Sequence, residues 1–265
     1  MRNRWFIALA AIGLHISIGS VYAWSVLTRP IMADMGFTLS QTTWTFSLAI
    51  LMLGLSAGFL GSFAEKIGPK KSGLLAMLFW VTGLFGTAYA LSIHNLTLLY
   101  LFYGIIGGIG LGIGYITPVS TLVKYFPNRP GFATGLAIMG FGFASLIAGP
   151  LMQYLVAQVG LVDNFIILGI IYLVVMGASS LYLKAPQPKQ PTRTTKDKST
   201  MYVHNHGMLA NDAMKTWQFG ALWWVFFINI TCGIGLLSLA SPMAQEAIGM
   251  TPAAAASLVG IIGIF

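Results

Sequence analysis

The segment GSFAEKIGPKK, residues 61–71, sets Glu65, Lys66, Lys70 and Lys71 between two long apolar runs. Charged residues make up only 8% of the 265-residue chain, against 57% hydrophobic ones, so such a cluster marks a boundary. About 20 apolar residues cross roughly 30 Å of hydrocarbon as a helix. Stretches of that kind recur from end to end, and they predict spans at 5–27, 42–64, 72–92, 98–122, 132–156, 164–183 and 217–240. An eighth helix is expected to start at Thr251-Pro252, a hydroxyl cap followed by proline in the first turn. From Pro252 to Phe265 there is room for roughly 21 Å of helix, short of a crossing, so the chain reads as cut off inside its eighth span. The expected fold is an all-α, polytopic membrane bundle.

Arg2 and Arg4 precede the first run, which is longer than the roughly 7–15 apolar residues of a secretory signal and has no small-x-small site before Trp24. It reads as a retained helix. Taking alternate connections as one side leaves Arg29 alone, of the 14 Lys and Arg, on the other. The positive-inside rule then places the amino terminus in the cytoplasm of a multi-pass protein of the cell membrane. The net charge of +8 sits at membrane edges and not in one stripe, which speaks against nucleic acid. Residues 1–183 form a six-helix bundle in this reading, and 184–216, rich in Pro, Lys and Thr, a cytoplasmic linker. Residues 217–265 begin a second bundle. MLANDAMKTWQF, 208–219, is expected to form a short amphipathic helix leading into the seventh span. Cys232, the single cysteine, excludes an intramolecular disulfide.

Glycine dominates the fourth and fifth spans. In GIIGGIGLGIGYITP, residues 104–118, Gly104, Gly108 and Gly112 step by four, as do Gly110 and Gly114, which gives two faces where neighbouring helices can approach closely. No G-x-G-x-x-G occurs there and no strand precedes it, so a nucleotide loop is set aside. Gly149-Pro150 in the fifth span marks close packing and a bend or hinge.

These residues carry a resemblance. GSFAEKIGPKK resembles the loop between helices 2 and 3 of the major facilitator superfamily, with Glu65 where that pattern usually has aspartate. The resemblance implies that Gly61, Glu65, Lys66, Gly68, Lys70 and Lys71 act as a conformational latch between two bundles on the cytoplasmic side; membrane-edge charge is the plainer, compatible reading. SIGSVYAWSVLTRPI, residues 17–31, and GIGLGIGYITPVSTLVKYFPNRPGFATGLAIMGFGFAS, residues 108–145, are similar to the oxalate:formate antiporter family, which includes lactate and other monocarboxylate carriers. That family implies two six-helix halves, of which this chain would hold the first, with helix 7 and part of helix 8. A helix 8 arginine and a helix 11 lysine associated with substrate carboxylates in that family fall outside these residues. The missing C-terminal half would be needed for a complete carrier.

Several side chains are candidates for a substrate cavity. His15 is the one ionisable residue well inside the first span, and with Gly19 and Tyr22 it shares an i, i+4, i+7 face. It reads either as a neutral ring bonded to a neighbouring helix or as a proton or substrate site. Trp24 is a further candidate wall, with an interfacial aromatic belt as its other reading. The Tyr115 hydroxyl can donate to a carboxylate or bond a facing carbonyl. Thr117, Ser120 and Asn229 are weaker candidates, equally readable as contacts between helices. His204 and His206 are too few for a metal site. Asn95-Leu96-Thr97 is a glycosylation sequon that matters only in a secretory host.

No acid lies inside a span, so this half offers no carboxylate proton relay. A drug/proton antiporter is disfavoured as well, because Tyr103 and Gly104 stand where such exporters carry a basic residue, and Gln153 and Tyr154 where a glycine pair would follow Gly149-Pro150. The expected function is secondary transport of a small carboxylate of the lactate, pyruvate, formate or oxalate class by alternating access, with a proton or counter-anion as co-substrate left open. The partners are that anion and the lipid bilayer; no cofactor, catalytic residue or metal ligand is expected, and the protein is read as no enzyme. Two alternatives stand beside this: a truncated, non-transporting partner subunit, and a polytopic membrane enzyme, for which the spans lack paired acids or a nucleophile with its base.

Overall fold

The computed structural model describes residues 3–186 and 210–263. Its long helices are α1, Arg4–Met35; α2, Leu39–Ile67; α3, Pro69–Ser92; and α4, Leu96–Tyr125. Pro130–Tyr182 is one helical stretch broken at Gly160 into α5, 130–159, and α6, 161–182. Then follow α7, Trp217–Ala247, and α8, Pro252–Ile262. Six of these stretches are long and apolar enough to cross a membrane, and no strand occurs among the described residues.

The helices outrun the hydropathy at their ends, where capping decides. α1 continues through Arg29 and Pro30 to a left-handed cap at Gly36, φ 67°. α2 starts with a capping box in which the Thr38 hydroxyl and the Gln41 side chain satisfy each other's backbone N–H. Asn95 of the sequon caps α4 by accepting from the Leu98 N–H at 3.0 Å. The eighth helix starts as its sequence signal predicts, with Thr251 accepting from the Ala254 N–H at 3.3 Å and Pro252 in the first turn.

The expected loop between the fifth and sixth spans is a single residue. Gly160 takes φ 86°, ψ 177°, a conformation open in practice to glycine alone, and it joins the two legs without a loop. The sequence places the break between 156 and 164 but suggests a loop of several residues there, because Gln158, Asp163 and Asn164 flank Gly160. The linker proposed for 184–216 lies mostly outside the described residues, as do His204 and His206. Of the amphipathic segment, Ala210–Ala213 is a helical turn, and Thr216 accepts from the Phe219 N–H as α7 begins.

Two compact units are present, residues 1–186 with 237–265, and residues 187–236. In the second, Lys215 and Asp212 pair at 3.6 Å, and the exposed rings of Trp223, Trp224 and Phe227 stack with centroids 5.1–6.0 Å apart. The first unit is built inside-out relative to a protein in water. Phe59, Leu51, Ile147 and Val174 are exposed, whereas Ser17, Ser20, Thr42, Thr45 and Ser72 are buried. Apolar exposure on that scale suits hydrocarbon, and small hydroxyl residues between helices suit close packing in it.

The glycines of α4 set its neighbours. Gly108 and Gly112 face α2: a methyl on Gly108 would lie 2.8 Å from the Ala49 carbonyl oxygen, and one on Gly112 would run into Ser56 and the Leu53 carbonyl. Gly110 faces α3, where a methyl would meet the Trp80 backbone nitrogen at 2.6 Å. Gly114 faces Ile18 of α1. Gly149 of α5 faces α8, with the Ala256 carbonyl oxygen 2.8 Å from where its Cβ would stand, and Pro150 beside it is exposed.

Gly112→Leu is therefore expected to cost about 1–3 kcal/mol by wedging α2 from α4. Gly54→Leu on α2, with nothing within 4 Å, is expected to leave thermal unfolding unchanged, and melting in detergent compares the two. Gly160→Val is expected to cost about 1–3 kcal/mol through backbone strain alone, read from the same melts.

Candidate functional site

α1 and α5 cross closely because neither has a side chain at two points of contact. A methyl on Gly19 would collide with the Phe141 carbonyl, and one on Gly140 would lie 3.4 Å from the His15 Cβ. Backbone contact at Gly140 brings the imidazole of His15, which is fully buried, within 2.6 Å of the Ala137 carbonyl oxygen through Nδ1. Its Nε2 lies 3.0 Å from the Tyr115 carbonyl oxygen on α4. Pro118 withdraws an N–H from the turn of α4 that contains Tyr115.

Phe141 is the hub of what surrounds His15. Its ring meets Tyr22 at 4.8 Å, Tyr115 at 5.5 Å and His15 at 5.9 Å, each edge-on, while His15 and Tyr115 stack at 5.5 Å. Phe141 and His15 are buried; Tyr22 and Tyr115 are partly exposed. No hydrogen bond to either tyrosine hydroxyl occurs among the described residues. The sequence reading named His15, Tyr22 and Tyr115 but missed Phe141, since nothing in GFGFAS tells which phenylalanine faces inward. The i, i+4, i+7 spacing of His15, Gly19 and Tyr22 holds as a shared face even though Ser20–Ala23 tightens into a 3₁₀ turn.

The other candidates lie elsewhere. Trp24 is fully buried, packed against Tyr103 at 4.3 Å, with its indole N–H unpartnered. Tyr103, in a π-helical stretch Tyr100–Gly107, also meets Trp80 at 5.6 Å. Thr117 is buried, accepts from Ser72 at 2.6 Å and donates to the Ile113 carbonyl at 2.8 Å, which joins α4 to α3. Asn229 lies exposed in the second unit.

At the end of the bundle that carries Arg4, Glu65 of the charged segment pairs with Lys124 at 3.2 Å and so links α2 to α4. Gly68, φ 82°, joins α2 to α3; Lys66, Lys70 and Lys71 are free of ion pairs among the described residues. A methyl on Gly61 would touch Ile116 of α4 at 3.0 Å. Nearby, a cavity of about 340 Å³ is lined by Arg4, Trp5, Phe126, Asn128, Arg129 and Phe132. At the opposite end Arg29 of α1 donates to Glu246 at 2.9 Å and to Gln245 at 3.3 Å, tying α1 to α7 across 217 residues of sequence. The sequence signals neither partner, because both pairs depend on which helices become neighbours. No group of three or more metal-ligating side chains occurs among the described residues.

The family model of the Major Facilitator Superfamily matches residues 6–265. The chain belongs to the major facilitator superfamily. Over 265 aligned residues it is 31% identical to the uncharacterized MFS-type transporter YhjX of Escherichia coli K12, covering 99% of this chain and 63% of that protein. Over 240 residues it is 26% identical to the oxalate:formate antiporter of Oxalobacter formigenes, covering 90% of this chain and 54% of that one. The chain thus spans less than two thirds of the length of these relatives. A crystal structure of a D-xylose-proton symporter shares the fold at 16% identity, with a TM-score of 0.64 over 98% of this chain and 66% of that one.

Within this superfamily fold Phe141 is the ring on which the site's geometry rests. Phe141→Ala is expected to destabilise the bundle by about 3–5 kcal/mol, and Phe141→Leu by much less; thermal melts of the two variants check the difference.

Proposed function

We propose that this chain supplies one helical half of a secondary carrier for small carboxylates of the lactate, pyruvate, formate and oxalate class. The observation that carries the reading is the pair of unpartnered hydroxyls of Tyr22 and Tyr115, set on the Phe141 hub beside His15. A carboxylate is acceptor-only and costly to bring out of water unless donors meet it. Two phenols on one aromatic floor offer such donors. The oxalate:formate antiporter among the relatives supports the same substrate class.

Mechanistically, the halves rock about the bound anion, which faces one side of the membrane and then the other. The amino terminus stays on the cytoplasmic side of the cell membrane, a placement supported by the one-sided distribution of Lys and Arg. Glu65–Lys124 keeps the charged α2–α3 connection in place, and Lys66, Lys70 and Lys71 remain available as a latch against the second half of the carrier. The Arg29–Glu246 pair fastens α1 to α7 at the other end. Both pairs are half-exposed, and each contributes about 1 kcal/mol or less, weak enough to break in each cycle.

Reconstitution in liposomes with radiolabelled formate, lactate and oxalate tests the reading. Saturable binding of at least one of them is expected, and Tyr115→Phe is expected to weaken it about 10- to 100-fold, the worth of one hydrogen bond to a charged group. Absence of any saturable carboxylate binding or flux would overturn it.

A further inference from the structure

Two openings lie along α1. At the Arg4 end of the bundle, the cavity of about 340 Å³ sits between the start of α1 and the connection from α4 to α5. Its wall is a triangle of rings: Trp5, Phe126 and Phe132 meet edge-on, with centroids 5.6–6.3 Å apart. The Arg4 guanidinium lies over two of them, 5.5 Å from the Phe126 ring and 5.9 Å from the Trp5 ring. Those faces hold the cation and leave its N–H groups for other partners. Arg129 lines the same cavity, and neither guanidinium has an ion pair or hydrogen bond among the described residues. Glu65 is the one described acid of the first unit at this end, and Lys124 holds it. Tyr125, also on the cavity wall, donates its hydroxyl to the Lys184 carbonyl at 3.0 Å and so brings a third basic residue alongside. The protein gathers cations here without an anion to meet them.

The second opening, about 530 Å³, is an apolar groove between α1 and α6, lined by Phe6, Leu9, Gly13 and Ile16 of the one and Ser179 and Tyr182 of the other. Gly13 forms its floor, where a methyl would lie 2.6 Å from the Ser179 hydroxyl oxygen. Trp5, Leu9, Ile12 and Ile16 fall at i, i+4, i+7 and i+11, so the aromatic wall of the cavity continues along the same face of α1 as the wall of the groove. Trp5, Phe6 and Leu9 are each more than half exposed. At 1.5 Å per residue the groove runs roughly 15 Å from Phe6 to Ile16, half of the roughly 30 Å of hydrocarbon in a bilayer. Its length is the depth of one leaflet, and its charged mouth lies where that leaflet carries its headgroups.

We propose that the two openings together hold one anionic phospholipid of the leaflet at the Arg4 end, its phosphate between Arg4 and Arg129 and one acyl chain laid along α1 in the groove. Guanidinium groups bind phosphate oxygens through paired N–H donors, and cations at the membrane edge attract anionic headgroups. A zwitterionic lipid carries its own cation beside the phosphate, and that cation would stand among Arg4, Arg129 and Lys184. A free phosphate ester would use the cavity and gain nothing from the groove. Bound in this way, the lipid joins the start of α1 to the α4–α5 connection and to the end of α6. None of His15, Tyr22, Tyr115 and Phe141 lines either opening, so the lipid site does not rest on the carboxylate reading.

The test uses the full chain in dodecyl maltoside, with dioleoyl phosphatidylglycerol or dioleoyl phosphatidylcholine added and the retained lipid counted by native mass spectrometry. The expected result is one phosphatidylglycerol per chain, held about tenfold more tightly than phosphatidylcholine. Arg4→Gln with Arg129→Gln is expected to weaken that binding about 10- to 100-fold. Lys70→Gln with Lys71→Gln removes the same charge from residues that line neither opening, and is expected to change it less than about twofold. Leu9→Trp, which fills the groove with both arginines in place, is expected to weaken it at least about threefold. Glycerophosphoglycerol, the same headgroup without acyl chains, is expected to displace none of the lipid even in large excess.

Equal retention of the two lipids, or a loss as large from the lysine pair as from the arginine pair, overturns the proposal. Unchanged binding in Leu9→Trp overturns it as well, because the acyl chain then lies elsewhere. Displacement by glycerophosphoglycerol overturns it in favour of a site for a free phosphate ester. Should Arg4→Gln with Arg129→Gln fail to fold, the comparison of headgroups and the Leu9→Trp variant decide the matter between them. No carboxylate substrate enters these measurements, so their failure leaves the carrier reading where it stands.

Discussion

The crossing of α1 and α5 is the contact on which the rest of the first unit depends. Gly19 lies against the Phe141 backbone and Gly140 against the His15 Cβ. With the backbones this close, a single imidazole spans from α1 to α5 and, through its other nitrogen, to α4. In hydrocarbon there is no hydrophobic drive to press helices together, so small residues that allow backbone contact and polar side chains that bridge helices take over that role. The glycines of α4 extend the same principle to α2 and α3, and the Ser72–Thr117 pair adds a hydroxyl bridge between α3 and α4. Side chains that would be spacers in water are missing wherever the helices must touch.

Much of this is legible in the sequence itself. Composition and run length are enough to show a membrane bundle, because about 20 apolar residues have few other uses, and the step of four between glycines in 104–112 anticipates a face pressed against a neighbour. Helix ends were less legible: hydropathy fades before the helix does, and Thr38 with Gln41, or Gly36 with its positive φ, settles the boundary instead. The break around Gly160 is legible between spans ending at 156 and starting at 164, but not that a single residue makes it, since a positive φ leaves no mark in composition. In the site, the helical period grouped His15 with Tyr22, but the partners of His15 are backbone carbonyls of Ala137 and Tyr115, and carbonyls carry no signature in a sequence. Phe141 was invisible for a related reason: in a span where every face is apolar, the inward phenylalanine and the lipid-facing one look alike.

The charges divide into two kinds. Those at the helix ends, Glu65 with Lys124 and Arg29 with Glu246, are half-exposed pairs that join helices distant in sequence at opposite ends of the bundle. Pairs of that sort are weak in water-facing positions. The uncommon one is His15, a titratable ring enclosed by aromatic groups and backbone at the centre of three helices, where a change of one proton has no solvent to soften it.

The most direct measurement is the position of a bound anion. A structure of the chain determined with 3-bromopropionate, a small carboxylate whose bromine scatters anomalously, locates it without reference to transport. The account predicts a bromine peak against the Phe141 ring with the carboxylate within hydrogen-bonding reach of the Tyr22 and Tyr115 hydroxyls. A peak confined to the cavity between Arg4 and Arg129, with nothing beside the two tyrosines, would contradict it.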